Sequence, residues 1–182
     1  MTVTEPARSR PISPRDPRFA PWRAFLTAHA RITSQLDDEL RAEHDLSLAE
    51  YDALLTIADT PDRRIRMRQL ADRVLLSKSG VTRLVDRLVS DGLVTRCASS
   101  DDARGAEAVL TDAGLERLRR ASRTHLRGVA EHFLTALEAD DIPAVERSML
   151  AVADRIGPGG ESDRCQSMAA AMELTGGDSS AD

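Results

Sequence analysis

The chain has 182 residues, 41% of them hydrophobic and 30% charged, with 25 Lys+Arg against 30 Asp+Glu for a net charge of −5. This size holds one domain with loose ends and leaves no room for a second full domain. One Trp, one Tyr and three Phe cannot fill an interior, so Ala, Leu and Val must.

Residues 1–18 carry four prolines together with Arg8, Arg10, Arg15 and Arg18 and show no periodic apolar face, which reads as a disordered arm. Trp22, Phe25, Leu26, His29, Ile32, Leu36 and Leu40 then recur at three- and four-residue steps, predicting one long amphipathic helix from about Ala20 to His44 within a first segment, 19–46. Ser47 and Glu50 form a capping-box pattern opening a helix with Leu48, Tyr51, Leu54, Leu55 and Ala58 inward, and Thr60-Pro61-Asp62 stops it. A short β-prone stretch, Ile65 to Met67, precedes a second short helix with Leu70, Ala71 and Val74 inward.

Ser77 can cap a third helix whose buried stripe is Val81, Leu84, Val85, Leu88 and Val89 and whose C-terminal stop is Asp91-Gly92. Residues 93–97 and 106–110 read as two strands of a hairpin with a charged tip between them. Leu110-Thr111-Asp112 caps the next long helix, and the apolar pattern runs from Leu115 through Leu137 before Asp140, Asp141 and Pro143 divide it from a last helix ending near Ile156. Residues 157–182 read as a flexible tail.

The expected fold is therefore mainly α: a winged helix-turn-helix lobe over 47–111, between a long N-terminal helix and C-terminal helices over 112–156. Long helices with narrow apolar stripes at both chain ends favour pairing with a second copy of the chain.

Charge is segregated along this order. From Arg63 to Arg104 there are ten basic and five acidic residues, whereas the rest of the chain is strongly acidic. A cationic middle on an acidic protein points to a local anion partner, and the element order points to double-stranded DNA. The N-terminal part of a helix inserted in the major groove reaches base edges. Ser77, Lys78, Ser79, Thr82, Arg83 and Arg87 form the polar face expected there, Arg83 offering a planar fork to guanine and Lys78 a charge to phosphate. Arg104 at the hairpin tip suits the minor groove, with Asp102 orienting either Arg104 or Arg96. Arg83 has a competing role, folding back onto Asp52 or a ligand. A winged helix without specific DNA binding, serving as a protein-interaction scaffold, is the alternative function.

QLADRVLLSKSGVTRLVDRLVSDGLVTR, the D-x-R of DDARG and the LTDAG that follows resemble the MarR (multiple antibiotic resistance regulator) family of winged helix-turn-helix transcription regulators over roughly residues 20–156. The resemblance implies an obligate homodimer with interlocked terminal helices, a palindromic operator, repression relieved by a ligand, and Asp102 with Arg104 as the wing pair. It also implies a site for a small anionic or phenolic ligand between the dimerisation helices and the DNA-binding lobe. A urate-responsive subgroup builds that site from one Trp, one Asp and two Arg, to which Trp22, Asp52, Arg83 and Arg96 correspond. Trp22 departs from that pattern, since it opens the first ordinary helix rather than an additional upstream one.

Other chemistries have little footing. No phosphate-cradling Gly loop, G-x-S-x-G or HExxH motif occurs, so neither an enzyme nor a cofactor site is expected. His29, His44, His125 and His132 do not fall at metal-ligand spacing. Cys97 and Cys165 are read as free thiols, Cys97 as a small buried hydrophobe in preference to an oxidation sensor, and redox-sensing members of the family carry their Cys where this chain has none. No apolar run approaches the roughly twenty residues that span a bilayer, and the start lacks a secretory signal, so the expectation is a cytoplasmic protein.

Overall fold

A computed structural model describes residue 13 and residues 16–74, 76–98 and 106–156. The expected arms, the wing pair Asp102 and Arg104, and Cys165 therefore lie outside the described residues, apart from the end of the N-terminal arm.

A short 3-10 turn, Pro17–Phe19, leads into helix α1 (Ala20–His44), with Pro21 in its first turn. The helix ends at Asp45, which adopts a left-handed conformation (φ 53°, ψ 39°) and returns its N–H to the carbonyls of Leu40 and Arg41. Helix α2 (Leu48–Ala58) opens with the expected capping box: Ser47 Oγ accepts from Glu50 N while the Glu50 carboxylate accepts from Ser47 N. It is the central helix of the lobe, buried through Tyr51, Ala53, Leu54, Leu55 and Ile57. Then come β1 (Arg64–Arg66), α3 (Met67–Arg73), α4 (Lys78–Ser90), β2 (Val94–Ala98), β3 (Ala106–Leu110), α5 (Asp112–His132) and α6 (Ile142–Ile156).

The sheet is antiparallel in the order β1-β3-β2, with Ile65 opposite Ala108 and Arg96 opposite the same residue from the other side. One continuous core runs from Leu40 and Leu46 through Tyr51, Leu54 and Ile57 to Leu70, Val81, Val85, Leu88, Val94 and Leu118. It joins α4 and the sheet to α2, and α2 to the long helices α1 and α5. The α1–α5 crossing is close because residue 128 is Gly. A Cβ there would stand 2.6 Å from Leu36 Cδ2 and from Glu39 Oε2.

Three expectations change. Helix α5 stops at His132 and the apolar pattern continues through a 3-10 turn, Leu134–Ala136, to an extended Leu137; no Gly or Pro marks that stop in the sequence. Val89 is exposed and Leu84 only half-buried, because they flank the stripe formed by Val81, Val85 and Leu88. Cys97 is exposed. Successive strand residues alternate faces, so with Val94 packed inward, Cys97 three positions on points to the opposite side of an edge strand.

Candidate nucleic-acid interface

The N-terminus of α4 is built by local chemistry. Ser77 has extended backbone and its Oγ accepts from Gly80 N at 3.1 Å, closing one of the free donors of the first turn. Its hydroxyl also lies 3.2 Å from Ser79 Oγ. Thr82 Oγ1 donates to Lys78 O at 2.9 Å, and Arg83 Nε donates to Ser79 O at 3.4 Å. Lys78, Ser79, Thr82 and Arg83 are all exposed, so one face of the first two turns carries two cations and three hydroxyls counting Ser77. The first turn contains no acidic residue, and the positive end of the helix dipole adds to this field.

Arg96 fixes that helix to the wing. From β2 it donates through Nη1 to Asp86 Oδ1 at 2.5 Å and through Nη2 to Thr82 O at 3.1 Å. A carboxylate and a main-chain carbonyl one turn apart thus share one planar fork. On the far side of the hairpin, Thr111 N and Oγ1 reach Leu93 O at 3.1 and 3.0 Å, and Oγ1 also reaches Gly92 O at 2.8 Å. Gly92 holds a positive φ of 71°, which permits the tight exit from α4. The wing strands, α4 and the start of α5 therefore form one braced unit.

Arg87, placed on the same polar face by the sequence, meets carboxylates: Glu50 at 3.1 Å, Asp45 at 3.7 Å and Asp91 at 3.9 Å. Arg64, Arg66 and Arg68 belong to the basic middle of the sequence, and all three are exposed on β1 and the first turn of α3. Their signal was local charge density alone.

The four residues matched to an effector site stand on four different elements, α1, α2, α4 and β2. Asp52 lines a groove of about 660 Å³ between α1 and α2 with His29, Thr33, Asp37, Leu48 and Leu76, and among the described residues neither Lys nor Arg lines it. Trp22 stacks on Phe25 near the start of α1, ring centroids 5.9 Å apart, while Arg83 and Arg96 lie on α4 and β2 as described. The Asp37 carboxyl is held below its ordinary pKa, against the opposing effect of burial, by Arg41 and by the Leu48 N–H.

The histidines serve the α1–α2–α5 junction. His125 is buried, stacks on Tyr51 with centroids 4.6 Å apart, and has no hydrogen-bond partner on Nδ1. Burial lowers its pKa and raises that of the Tyr51 phenol to about 12. His44 Nε2 lies 2.8 Å from Thr124 Oγ1 and is also shifted down, by burial first. His132 Nε2 lies 2.6 Å from Glu39 Oε1. Among the described residues, no group of His, Cys, Asp or Glu is arranged to hold a metal, and no helix is long and apolar enough to cross a membrane.

A polar-faced helix locked to a β-hairpin over a three-helix core defines a winged helix-turn-helix protein. The profile of the MarR family matches residues 44–105. Over 75% of its length the chain superposes on 89% of Sco3205, a MarR family transcriptional regulator of Streptomyces coelicolor solved in complex with DNA, with 31% identity and a TM-score of 0.69. AbsC, another S. coelicolor regulator of the family, is 29% identical with a TM-score of 0.68, covering 75% of this chain and 91% of its own. The transcriptional repressor YetL of Bacillus subtilis is 30% identical over 89 residues, 49% of this chain, which spans only 53% of YetL. This chain belongs to the MarR family and is a winged-helix transcriptional regulator.

Proposed function

We propose that the protein is a homodimeric repressor that reads a palindromic operator with α4 and releases it on binding a small ligand. The observation that carries this reading is the exposed Ser77, Lys78, Ser79, Thr82 and Arg83 face, braced to the wing by Arg96. A rigid cationic helix start satisfies the geometric demand of a major groove, Arg83 reading a base and Lys78 a phosphate. Asp102 and Arg104 complete the contact as the wing pair beside the minor groove. Both Sco3205, solved with DNA, and YetL, a repressor, support this assignment.

Dimerisation is supported by apolar surface the protomer leaves bare. The first half of α1 exposes Trp22, Phe25 and Leu26, and α6 exposes Ile142, Met149, Leu150 and Val152 without burying a single described side chain. Exposed apolar side chains on both terminal helices fit a two-fold contact between copies. The ligand reading rests on the Asp52 groove. Its carboxylates and hydroxyls with apolar Leu48 and Leu76 suit the phenolic half of the expected ligand class, a hydroxyl donating to Asp52, better than an anion.

The decisive measurement is anisotropy titration of the full chain with duplex DNA enriched from a random pool. A dimer should bind a two-fold repeat with half-sites about ten base pairs apart, and Arg83→Ala should weaken that site by about 1–3 kcal/mol and relax one base position. A chain that enriches no sequence, or that sediments as a monomer while doing so, overturns the proposal in favour of an interaction scaffold.

A further inference from the structure

Arg87 stands one turn beyond Arg83 on the recognition helix, yet it is tied back into the protein. Its Nε lies 3.1 Å from Glu50 Oε1 and 3.9 Å from Asp91 Oδ2, and its Nη2 lies 3.7 Å from Asp45 Oδ1. The Glu50 side chain is only 6% exposed. Its second oxygen, Oε2, is taken by Ser47 N and Ser47 Oγ, both at 2.7 Å. A carboxylate buried to this degree requires a cation or donors on both oxygens, and Arg87 stands at the oxygen the capping box leaves over. Asp45, the second partner, is the left-handed cap that ends α1. One guanidinium thus spans from α4 to the corner where α1 hands over to α2.

We infer that Arg87 is a positioning residue for DNA binding and not a phosphate contact: its ion pairs with Glu50 and Asp45 set the angle of α4 against the corner where α1 meets α2. This inference rests on the DNA-binding reading, but it makes a separate claim, because a phosphate contact and a positioning contact leave different marks on salt dependence. Each phosphate neutralised by a cation steepens the fall of log affinity with log salt by about 0.9. A residue that acts through another side chain leaves that slope alone.

The test uses the full chain and the duplex enriched by the wild type, titrated at several salt concentrations with R87Q, E50Q and the double variant. Gln at position 50 keeps the capping box with its one oxygen and turns an uncharged amide NH2, which cannot accept from Arg87, to the guanidinium. R87Q should lose affinity about tenfold with an unchanged salt slope, E50Q should lose affinity in the same way, and the double variant should bind no worse than R87Q. A slope lowered by about 0.9 in R87Q, losses that multiply in the double variant, or no loss at all would each overturn the inference. Should R87Q lose its circular dichroism signature, D45N carries the test, since Asn tolerates the left-handed cap; it should lose affinity at constant slope. Wild-type chain that binds no duplex sinks the DNA-binding reading and this inference together, whereas a changed slope in R87Q sinks this inference alone.

Discussion

The glycine of the LTDAG segment offers the sharpest stability test. Gly114 lies in the first turn of α5, and an added Cβ would stand 2.1 Å from Leu93 O, 2.8 Å from Leu110 Cδ1 and 3.0 Å from Leu93 C. Helix propensity by itself favours Ala over Gly by up to about 1 kcal/mol. Steric cost opposes it, and here the obstructing atom is main-chain oxygen, which no rotamer change can move. Reaching even the shortest contact that real Cβ atoms make, 3.0 Å, requires the start of α5 to withdraw by about an ångström. That movement lengthens both Thr111 bonds to Leu93 O, now 3.1 and 3.0 Å, each worth about 1 kcal/mol, on top of about 1–3 kcal/mol for overpacking. The net expectation for Gly114→Ala is a loss of about 3 kcal/mol. In equilibrium urea unfolding at fixed protein concentration, a slope of about 2 kcal/mol/M makes this a midpoint lowered by about 1.5 M. A variant as stable as the wild type would show that the α5 start and the wing strand are not in the contact described, and would refute the reasoning.

Ser77→Asp should keep stability, since Asp caps a helix as well as Ser, yet weaken operator affinity because a carboxylate then meets phosphate; equal affinity would remove residue 77 from the interface. Arg96→Ala should cost about 1 kcal/mol by unbinding Thr82 O and Asp86, and Asp86→Asn in that background should cost nothing further, additive losses in urea midpoints counting against a shared contact. Stability should fall as pH drops below the ordinary imidazole value of 6.5, because burial holds His44 and His125 below it. In that window the unfolded chain binds more protons than the folded one, so acid favours unfolding; Asp37 and Glu39, held below 3.8 and 4.5, act only at lower pH. Urea midpoints at pH 7.5 and 5.5 check the sign, and His125→Phe should shrink the difference between them.

Local chemistry made much of this fold legible. The Ser47–Glu50 capping box, the Ser77 and Thr111 caps and the Asp91-Gly92 stop each mark a boundary found in the structure, because a cap engages neighbours within three or four residues. The contacts that depend on distant partners were not legible. Arg87 has the same spacing as a groove-facing residue, and only the packing of α4 against the α1–α2 corner reveals Glu50 and Asp45 around it. Arg96 was matched to an effector or a wing carboxylate, and its observed partner, Asp86, is ten residues upstream on another element. Cys97 shows the limit of composition: its type favours burial, whereas strand alternation from Val94 turns it outward. Gly128 gave no signal at all, since a glycine within a helix discloses its use only when the Leu36 side chain is seen against it.

Helix α6 buries none of its described side chains, and the opening turns of α1 are equally bare. In the proposed homodimer a newly made chain therefore carries greasy flanks until it meets its twin, which makes lone copies clients for holdase chaperones and proteases. For that proposed homodimer, occupancy of a two-copy site below the dimer dissociation constant would climb with the square of the dose. Expression level would then tune such a homodimer's occupancy in its own right.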